Sequence, residues 1–554
     1  MSELSRKKNG LLWVSLVILL HGALCLLVWN AGDINYISDE GSYLVLGKSL
    51  AQDGYRFISW PEEPRHGKYP PVFPFLLSVV WRILPNFPAN VPWFRGINIL
   101  LGAVSLWVLD KILTGGCSLG RWERLTILFL VGVHPAILYY STSIHSEPLY
   151  LLVAGAILAH AAAILPSRLS DPQLGFKFGL LISFLLYVRL AGITLASAIL
   201  LYFLAHRSYR NLWRTGLVLS ILFVPWLMWI WFNSAEMSYR GFTFYSDYFR
   251  DWKQTVYDHG WRQLLVRNSV SLFFGIPKTC FFPFQTNLET ITQLTFWLGI
   301  PFLYFLLRGF VTTWNAGVNR LLHLYTITSL AVFLVWPYEA QERFLGLLLP
   351  FFYVFFLAGT RKSLGLTAVT GAPVNSYRHS FVSWLFIGLL SLSLGYHALQ
   401  YCYGALQNRL ASEQQRDFYS CVGWIAQKTG TADTLLADLD TLFYLHTGRK
   451  TLPLALSLEK IQGEWTVSNA AIRRTGASYL VRGKDDFLVL GPGLRVGLRE
   501  TIENHMLRNS ERFQSVFTSS HSRYQIYSLS EVNDIRWSKG RSSSGLAAGT
   551  METH

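Results

Sequence analysis

The chain has 554 residues, of which 51% are hydrophobic and 15% are charged, and its formal net charge is +15. A soluble chain usually carries about 25% charged residues, so a wholly soluble protein is excluded. The positive charge does not favour nucleic-acid binding. Most Lys and Arg residues of positions 1–400 lie in short loops between apolar runs, where such residues set membrane orientation.

The apolar runs predict a polytopic α-helical membrane protein. The first run, 11–30, follows the basic sequence Arg6–Lys8 and is long enough to span a bilayer as an uncleaved anchor. With the later runs it predicts about 11 transmembrane helices of roughly 20 residues each. The later runs are 95–113, 124–141, 149–165, 174–188, 190–206, 212–233, 289–308, 320–337, 343–360 and 380–398.

The shorter apolar stretch 71–84 decides which side of the membrane each loop occupies. If it does not cross, the basic residues of the short loops fall on the cytoplasmic side, as the positive-inside rule requires, whereas a crossing would move them all outside. We therefore expect 71–84 to lie along the outer interface or dip into it, with 31–94, 234–288 and the chain beyond 405 on the outer side. The basic residues concerned are Lys111, Arg121, Arg124, Arg168, Lys177, Arg207, Arg210, Arg214, Arg308, Arg320, Arg361, Lys362 and Arg378.

The composition changes near residue 400 and divides the chain into three regions. Residues 1–400 predict a membrane-embedded domain, and 405–535 predict a small soluble α/β domain on the outer face. Gly, Ser and Ala dominate the end of the chain, so 536–554 are predicted to be a disordered tail. Within the soluble domain the patterns predict a helix at Asp417–Lys428 and strands at Thr434–Ala437, Ser478–Val481 and Gln525–Leu529.

Two adjacent carboxylates, Asp39 and Glu40, follow the first predicted span and precede Tyr43. Carboxylates at a membrane surface are costly to desolvate. A positioned carboxylate suits a general base that takes a proton from an attacking hydroxyl. The alternative is that Asp39 caps a helix that begins near Ser42, which is the commoner use of such a residue.

A lysine precedes two prolines in the same outer loop, within the sequence Arg65-His66-Gly67-Lys68-Tyr69-Pro70-Pro71. The prolines prevent a helix from starting earlier and so fix Lys68 at the mouth of the next helix. An ammonium group there suits the binding of a phosphate. The alternative is a lysine that snorkels at the membrane interface.

Three further charges lie near the predicted outer ends of spans. Glu147, which precedes a proline, fits a helix cap and a site residue equally well. Arg189 lies between two apolar runs with almost no loop, and an arginine at membrane depth usually faces a cavity or a partner. Arg343 follows Tyr338 and Glu342 and begins a span, and taken alone it would be an interfacial anchor.

Metal and nucleotide chemistry have little support in the sequence. It contains neither a P-loop nor an HExxH motif, and no pair of its five cysteines has CxxC spacing. We interpret the cysteines as isolated buried thiols, although Cys402 and Cys421 could form a disulfide in an oxidising compartment. The spacing of Asp39, Glu40 and His66 does not support a metal site.

In their order along the chain, these motifs resemble those of the GT-C superfamily of membrane glycosyltransferases. The resemblance is greatest to the protein O-mannosyltransferases and the lipid A aminoarabinose transferases, and it covers most of residues 1–400. One departure is that Tyr69 separates Lys68 from the two prolines, which follow the lysine directly in many relatives. The motifs that carry the resemblance are Asp39-Glu40 with Tyr43, Lys68-Tyr69-Pro70-Pro71, Ser146-Glu147-Pro148, Arg189 with Gly192, and Glu342-Arg343-Phe344 with Pro350.

The resemblance implies an inverting transfer of a sugar from a polyprenyl-phosphate donor to an acceptor hydroxyl on the outer face of the membrane, in bacteria the inner (plasma) membrane. Asp39, with Glu40 beside it, would be catalytic. Three cations would bind the donor phosphate, namely Lys68, Arg343 and Arg189. Residues expected to bind the sugar or the acceptor are Tyr43, His66, Glu147, Tyr338 and Glu342. The acceptor could be a lipid, a glycan or a protein, and a requirement for a divalent cation is left open.

Two other functions are alternatives to this hypothesis. The main alternative is a multi-span transporter or lipid flippase, which often shows inverted repeats and charges near the bilayer midplane. Here the charges lie at one edge of the predicted spans. The other alternative is a non-catalytic assembly factor. Aromatic residues of the loop 234–288 would line a lipid groove or form an interfacial belt, namely Tyr239, Phe242, Phe244, Tyr245, Tyr248 and Phe249.

Overall fold

A computed structural model of the chain describes residues 3–29, 39–52, 54–117, 119–233, 247–281, 288–314, 320–338, 342–363, 388, 390–405, 413–461, 464–483 and 492–529. The chain divides into two compact units, Met1–Ser412 and Glu413–His554. The predicted disordered tail, 536–554, and the first half of the predicted span 380–398 lie outside the described residues.

The first unit is built from helices. They are α1 (Glu3–Val28), α2 (Glu40–Ala51), α3 (Val72–Ile83), α4 (Val91–Gly116), α5 (Arg121–Gly132), α6 (Pro135–Thr142), α7 (Glu147–Arg168), α8 (Gln173–Val188), α9 (Ile193–Ala205), α10 (Tyr209–Asn233), α11 (Tyr248–Phe281), α12 (Leu288–Trp314), α13 (Arg320–Val335), α14 (Glu342–Leu345), α15 (Leu349–Ser363) and α16 (390–405).

Four of the described helices, α1, α4, α7 and α10, are long and apolar enough to cross a membrane. Helices α5 and α6 become a fifth if their 55° bend is counted as a break within one span. Pro135 begins α6 and His134 caps it by accepting a hydrogen bond from the Ala136 amide, which explains the break. The polytopic helical architecture agrees with the sequence, and the count of about 11 crossings stays a prediction.

Helix α3 corresponds to the apolar stretch 71–84. Its 12 residues extend over about 18 Å, which is less than the roughly 30 Å of a hydrocarbon core. One face is buried against α2, where Gly47 allows Leu77 to approach closely. The opposite face exposes an apolar stripe of Phe75, Val79 and Ile83. A short helix with these two faces suits the membrane interface that the sequence analysis predicted for this stretch.

Helices α12 and α15 pack through glycines. A Cβ atom added to Gly309 would overlap the carbonyl oxygen of Phe355, and one added to Gly359 would overlap that of Phe305. The two backbones can approach this closely only because neither glycine has a side chain. Small residues at crossing points are a common feature of helix packing in membranes.

The prediction of a loop at 234–288 is wrong over much of that range, because residues 248–281 form α11. The sequence conceals this helix, since polar and basic residues interrupt its apolar pattern and Gly260, with φ 75°, kinks it. Asn268 of α11 donates hydrogen bonds to the carbonyls of Phe333, Leu334 and Trp336 at 2.8–3.2 Å. These bonds fix the end of α13 and the segment that follows it.

The second unit is a small α/β fold. Its main sheet has five strands in the order β2-β1-β5-β7-β6, where β1 is parallel to β2 and to β5, and β7 is antiparallel to β5 and to β6. The strands are β1 (Leu435–Ala437), β2 (Thr451–Pro453), β3 (Leu458–Ile461), β4 (Glu464–Val467), β5 (Tyr479–Gly483), β6 (Phe513–Thr518) and β7 (Tyr524–Leu529), and the helices are α17 (Glu413–Lys428), α18 (Asp440–Thr447), α19 (Asn469–Thr475) and α20 (Pro492–Arg508).

Helix α17 and strands β1, β5 and β7 coincide with the helix and the three strands expected from the sequence. All three residues of β1 are buried, as is usual for a central parallel strand covered on both faces. Helix α18 ends at Gly448, whose φ of 70° is the left-handed conformation that favours glycine. The five cysteines of the chain are buried free thiols.

Candidate active site

The candidate site lies where several helices of the first unit begin or end. Asp39 is the N-cap of α2, and Glu147 is the first residue of α7. Arg189 directly follows α8, and Arg343 belongs to the four-residue helix α14. Each side chain is therefore held at a helix terminus, and together these termini bring into contact residues that lie far apart in the sequence.

Arg343 links two carboxylates. Its Nη1 lies 2.6 Å from Oδ2 of Asp39, and its Nε contacts Oε1 of Glu147. Arg189 reaches the same Glu147 oxygen through Nη1 at 2.8 Å and also donates a hydrogen bond to Ser146 Oγ at 2.9 Å. The Glu147 side chain is only 1% exposed, and its Oε2 has no hydrogen-bond partner among the described residues.

Such a network is costly, because two carboxylates and two guanidinium groups must be removed from bulk water. Apolar residues of similar volume often stabilise a protein as well or better. Clusters of charged side chains at membrane depth usually mark a functional site. The arrangement therefore points to chemistry rather than to stability.

Asp39 is held on both oxygens. Tyr69 donates a hydrogen bond from its hydroxyl to Oδ1 at 2.6 Å, while Arg343 occupies Oδ2. Burial alone would raise the pKa of Asp39, but the Arg343 charge and the Tyr69 hydrogen bond outweigh it and hold the pKa well below its usual range. Asp39 is therefore ionised at neutral pH, as a general base must be.

Lys68 lies in an aromatic pocket beside this network. Its Nζ is 3.4 Å from the Tyr338 hydroxyl and lies over the rings of Tyr248 and Tyr338, at 5.2 and 5.8 Å from their centroids. The Tyr338 hydroxyl donates a hydrogen bond to Asp251. Burial lowers the pKa of Lys68, and the nearby Asp251 and Asp39 carboxylates offset part of that effect.

Glu40 points away from Asp39, although the two are adjacent in sequence. Its carboxylate is fully buried and accepts a hydrogen bond from the Ile144 amide at 3.0 Å, with Nδ1 of His145 at 3.8 Å. Asn98 donates to the carbonyl of the same His145 at 2.9 Å. Glu40 thus helps to fix the connection between α6 and α7, which sets the position of Glu147.

Tyr43 and His66 support the network without joining its ion pairs. The Tyr43 hydroxyl forms a 2.9 Å hydrogen bond with Ser146 Oγ. His66 is stacked between Phe57 and Tyr69, and its Nε2 accepts a hydrogen bond from the Tyr69 amide at 3.0 Å. Burial and the Lys68 charge lower the pKa of His66 to about 3, so the ring is neutral at pH 7.

Some predicted residues cannot be placed. The backbone of Glu342 begins α14, but its side chain lies outside the described part of the structure. Of the predicted aromatic set, Tyr248 and Phe249 lie on α11, and the other members, at 239–245, lie outside the described residues.

Tyr69, Ser146 and Asp251 also contact site residues, although the sequence patterns predicted none of the three as a site residue. Tyr69 had the clearest signal, because it lies directly between Lys68 and the prolines. Pro71 is the N-cap of α3, so the chain before it stays outside the helix and can turn the Tyr69 hydroxyl toward Asp39. Asp251 was overlooked because its helix was not predicted.

An apolar cavity of about 60 Å³ lies within the first unit next to this network. Its lining includes Pro148, which follows Glu147, and Gly346 and Leu347, which lie shortly after Arg343. Other lining residues come from α4, α5, α6, α7, α13 and α15. The cavity is apolar and lies beside charged residues, and its volume is well below the roughly 300–1,000 Å³ of a typical ligand site.

The described residues include no group of three or more His, Cys, Asp or Glu side chains that could hold a metal ion. The two carboxylates of the network, Asp39 and Glu147, are already paired with arginines.

Comparison with solved structures reveals a likeness to membrane glycosyltransferases. The structure of ArnT from Cupriavidus metallidurans bound to undecaprenyl phosphate aligns with a TM-score of 0.51 and 12% identity, over 94% of this chain and 98% of that chain. The oligosaccharyltransferase of Archaeoglobus fulgidus, tethered to an acceptor peptide with the NVT sequon, aligns with the same score and identity over 94% and 74% of the two chains.

A second structure of the archaeal enzyme, in complex with Zn and sulfate, aligns equally well, with a TM-score of 0.51 and 12% identity over 93% and 73% of the chains. The sequence matches no protein-family model, and a search of curated proteins gives no significant match. The aligned proteins are GT-C glycosyltransferases. At the level of the fold, the resemblance inferred from the sequence motifs is confirmed.

Proposed function

We propose that this protein is an inverting glycosyltransferase that moves a sugar from a polyprenyl-phosphate donor to an acceptor hydroxyl. The observation that carries the proposal is the sharing of Arg343 between Asp39 and Glu147. Arg343, a candidate phosphate-binding cation, thereby contacts Asp39, the candidate base, near an apolar cavity. The GT-C fold and the undecaprenyl phosphate bound by ArnT support the same reading.

In the proposed reaction, Asp39 accepts the proton of the acceptor hydroxyl as that oxygen attacks the anomeric carbon. The bond between this carbon and the phosphate oxygen breaks, and its electron pair leaves with the polyprenyl phosphate. Attack from the side opposite the leaving group inverts the anomeric configuration. Arg343, Arg189 and Lys68 stabilise the charge that develops on the phosphate, and preorganised cations of this kind are effective in a partly dry site.

Arg343 couples donor binding to base strength. While Arg343 contacts Asp39, its charge stabilises the ionised carboxylate and lowers the pKa, so the carboxylate is a weak base. A donor phosphate offers Arg343 a second anionic partner and draws part of its charge away from Asp39. We propose that the basicity of Asp39 rises when the donor is bound, so that the acceptor is activated only in the complete complex.

The remaining site residues have supporting roles in this proposal. Glu147 orients the two arginines, and its buried Oε2, without a partner among the described residues, would meet a sugar hydroxyl only if the site opens on binding. Tyr338 and the side chain of Glu342 bind the sugar or acceptor. Glu40, Tyr43 and His66 position the groups around them. A requirement for a divalent cation is tested by adding a chelator to the assay.

The proposal places the site on the outer face of a membrane, in bacteria the inner membrane, with the second unit on the same side. Support comes from the basic loops. Residues at the opposite helix ends form their own ion pairs, between Arg124 and Asp110 at 3.0 Å and between Arg361 and Glu123. Basic residues at those ends are typical of a cytoplasmic side.

The experiment is an assay of the purified protein with a polyprenyl-phosphate sugar, comparing wild type with Asp39→Asn. Transfer should be abolished while insertion and folding persist. Asp110→Asn is the matched control, since it removes an ion-paired carboxylate at the other end of the bundle. Full activity in Asp39→Asn would remove this residue from the mechanism. A lipid flippase, the alternative function, would move the donor without breaking its sugar–phosphate bond.

A further inference from the structure

The second unit contains a pocket that the proposed transfer reaction does not use. It has a volume of about 580 Å³, within the range of roughly 300–1,000 Å³ typical of small-molecule sites. Its walls come from the end of β5, from α20, and from β6, β7 and the turn between them. Everything that follows concerns this unit alone and does not rest on the proposed transferase activity.

The pocket is basic. Of the described residues that line it, three are arginines, Arg482, Arg499 and Arg523, and one is a carboxylate, Glu503. Glu503 pairs with Arg482 at 3.4 Å. Among the described residues, neither Arg499 nor Arg523 has an ion-pair partner, and the buried Nε of Arg499 has no hydrogen-bond partner. Buried donors are rarely left without an acceptor in native proteins, so among the described residues this side of the pocket offers a donor without an acceptor.

One wall of the pocket is held rigidly. The turn between β6 and β7 is fixed to the buried Asp417 of α17, which accepts hydrogen bonds from Ser519 and Ser520 at 2.9 and 3.0 Å and contacts Nδ1 of His521 at 3.0 Å. The turn also contains Ser522, with φ 55°. A non-glycine residue in this conformation persists where its surroundings enforce it. His521 and Arg523 are thereby presented to the pocket without a large ordering cost on binding.

The remaining lining is apolar and aromatic. Phe513 and Tyr527 contribute aromatic side chains, and Met506 and Leu507 of α20 add apolar surface. Gln525 supplies a neutral amide. A bare inorganic anion would use only the arginines. A sugar ring would also cover the aromatic faces, which pack well against apolar C–H surfaces.

We propose that this pocket binds an anionic sugar unit that carries a phosphate or a carboxylate group. Arg499 and Arg523 hold the anion through charge-assisted hydrogen bonds, and the sugar ring lies against Phe513 and Tyr527. A phosphate and a carboxylate can each accept two hydrogen bonds from one arginine guanidinium group. The experiment below therefore distinguishes the two sources.

The test is calorimetric titration of the full-length protein in detergent micelles. The probes are glucose 6-phosphate, glucuronate, glucose and inorganic phosphate. We expect at least one of the two anionic sugars to bind, and to do so more tightly than glucose and inorganic phosphate. The tighter anionic sugar identifies the preferred group. Equal binding of glucose, or phosphate binding as tight as that of glucose 6-phosphate, would overturn the proposal.

Variants assign the binding to this pocket rather than to the arginines of the first unit. Arg499→Gln and Arg523→Gln should each weaken binding by about tenfold or more, as expected for a lost hydrogen bond to a charged group. Arg474→Gln, which removes an exposed arginine of α19 outside the pocket, should leave the affinity unchanged. If Arg499→Gln does not fold, the partly exposed Arg523 supplies the test. Unchanged affinity in Arg523→Gln would sink the proposal.

Discussion

The Tyr69 hydroxyl and the Arg343 guanidinium hold opposite oxygens of the same Asp39 carboxylate. This arrangement fixes both the orientation and the ionisation of the candidate base. Two contributions to the low pKa of Asp39 can also be removed individually, the hydrogen bond from the neutral Tyr69 and the charge of Arg343.

Removal of the neutral donor is the milder of the two changes. In Tyr69→Phe, Asp39 loses a hydrogen bond that stabilises its ionised form, so its depressed pKa rises. Protonated Asp39 cannot act as a base, and activity will therefore disappear at a higher pH than in wild type. A hydrogen bond to a charged group contributes about 1.5–3 kcal/mol, which corresponds to a shift of about 1–2 pH units. The pH profile of kcat/KM measures it.

An unchanged acidic limb in Tyr69→Phe would show that Asp39 is not the group whose protonation limits the rate. Tyr55→Phe is a suitable control. Its hydroxyl donates to the backbone carbonyl of Tyr69 at 2.6 Å and does not contact the carboxylate. That variant is expected to keep the wild-type profile.

Substitution of Arg343 is expected to reduce activity more than substitution of the residues around it. Arg343→Gln removes the charge that links both carboxylates and the proposed donor phosphate, and a loss of about 10²–10³ in kcat is expected for such a preorganised group. Arg343→Lys keeps the charge but cannot bridge Asp39 and Glu147 with one planar group, so it should restore activity only in part. Steady-state kinetics with a polyprenyl-phosphate sugar separates the three proteins. Equal rates for wild type and Arg343→Gln would exclude the proposed role.

Glu40 should behave as a positioning residue. Glu40→Gln retains an oxygen that can accept the Ile144 amide, so folding should persist and much of the activity with it. Glu40→Ala leaves a buried amide without an acceptor, at a cost of about 1–3 kcal/mol. Its melting temperature should fall, and the rate with it. Complete loss of transfer in Glu40→Gln at an unchanged melting temperature would instead indicate direct catalysis.

The glycine contact between α12 and α15 predicts a stability effect far from the site. Gly309→Ala introduces a methyl group where the Phe355 carbonyl already lies, and overpacking of this kind costs about 1–3 kcal/mol. Gly216→Ala is the matched control in a helix, because a Cβ there meets no atom within 4 Å. Thermal unfolding in detergent should separate the two variants. Equal melting temperatures would mean that the two helices are not in close contact.

Membrane orientation gives a final prediction. A reporter fused after Leu399 should be exported, because the distribution of basic loops assigns the chain beyond it to the outer side. Fusions that report a periplasmic or a cytoplasmic position distinguish the two sides directly. A cytoplasmic position at Leu399 would require a different number of crossings.

The sequence indicated charges at the ends of several helices, and the structure brings Asp39, Glu147, Arg189 and Arg343 into contact; their roles stay a prediction. The sequence could not predict that Asp39 and Glu40 face different partners. Successive residues at a helix start point about 100° apart, so adjacent carboxylates need not share a site. Basic residues interrupt the apolar periodicity of α11, so the sequence did not predict this helix. Asp251, which lies on α11 and contacts Tyr338, was therefore not predicted as a site residue.

In the proposed interfacial position of α3, its exposed stripe of Phe75, Val79 and Ile83 ties the loop of Lys68 and Tyr69 to the level of the lipid headgroups. The height of the candidate base above the hydrocarbon is then determined by the lipids as well as by the protein. Catalysis should consequently respond to acyl-chain length, with an optimum thickness at which a lipid-borne phosphate and Asp39 lie at the same depth.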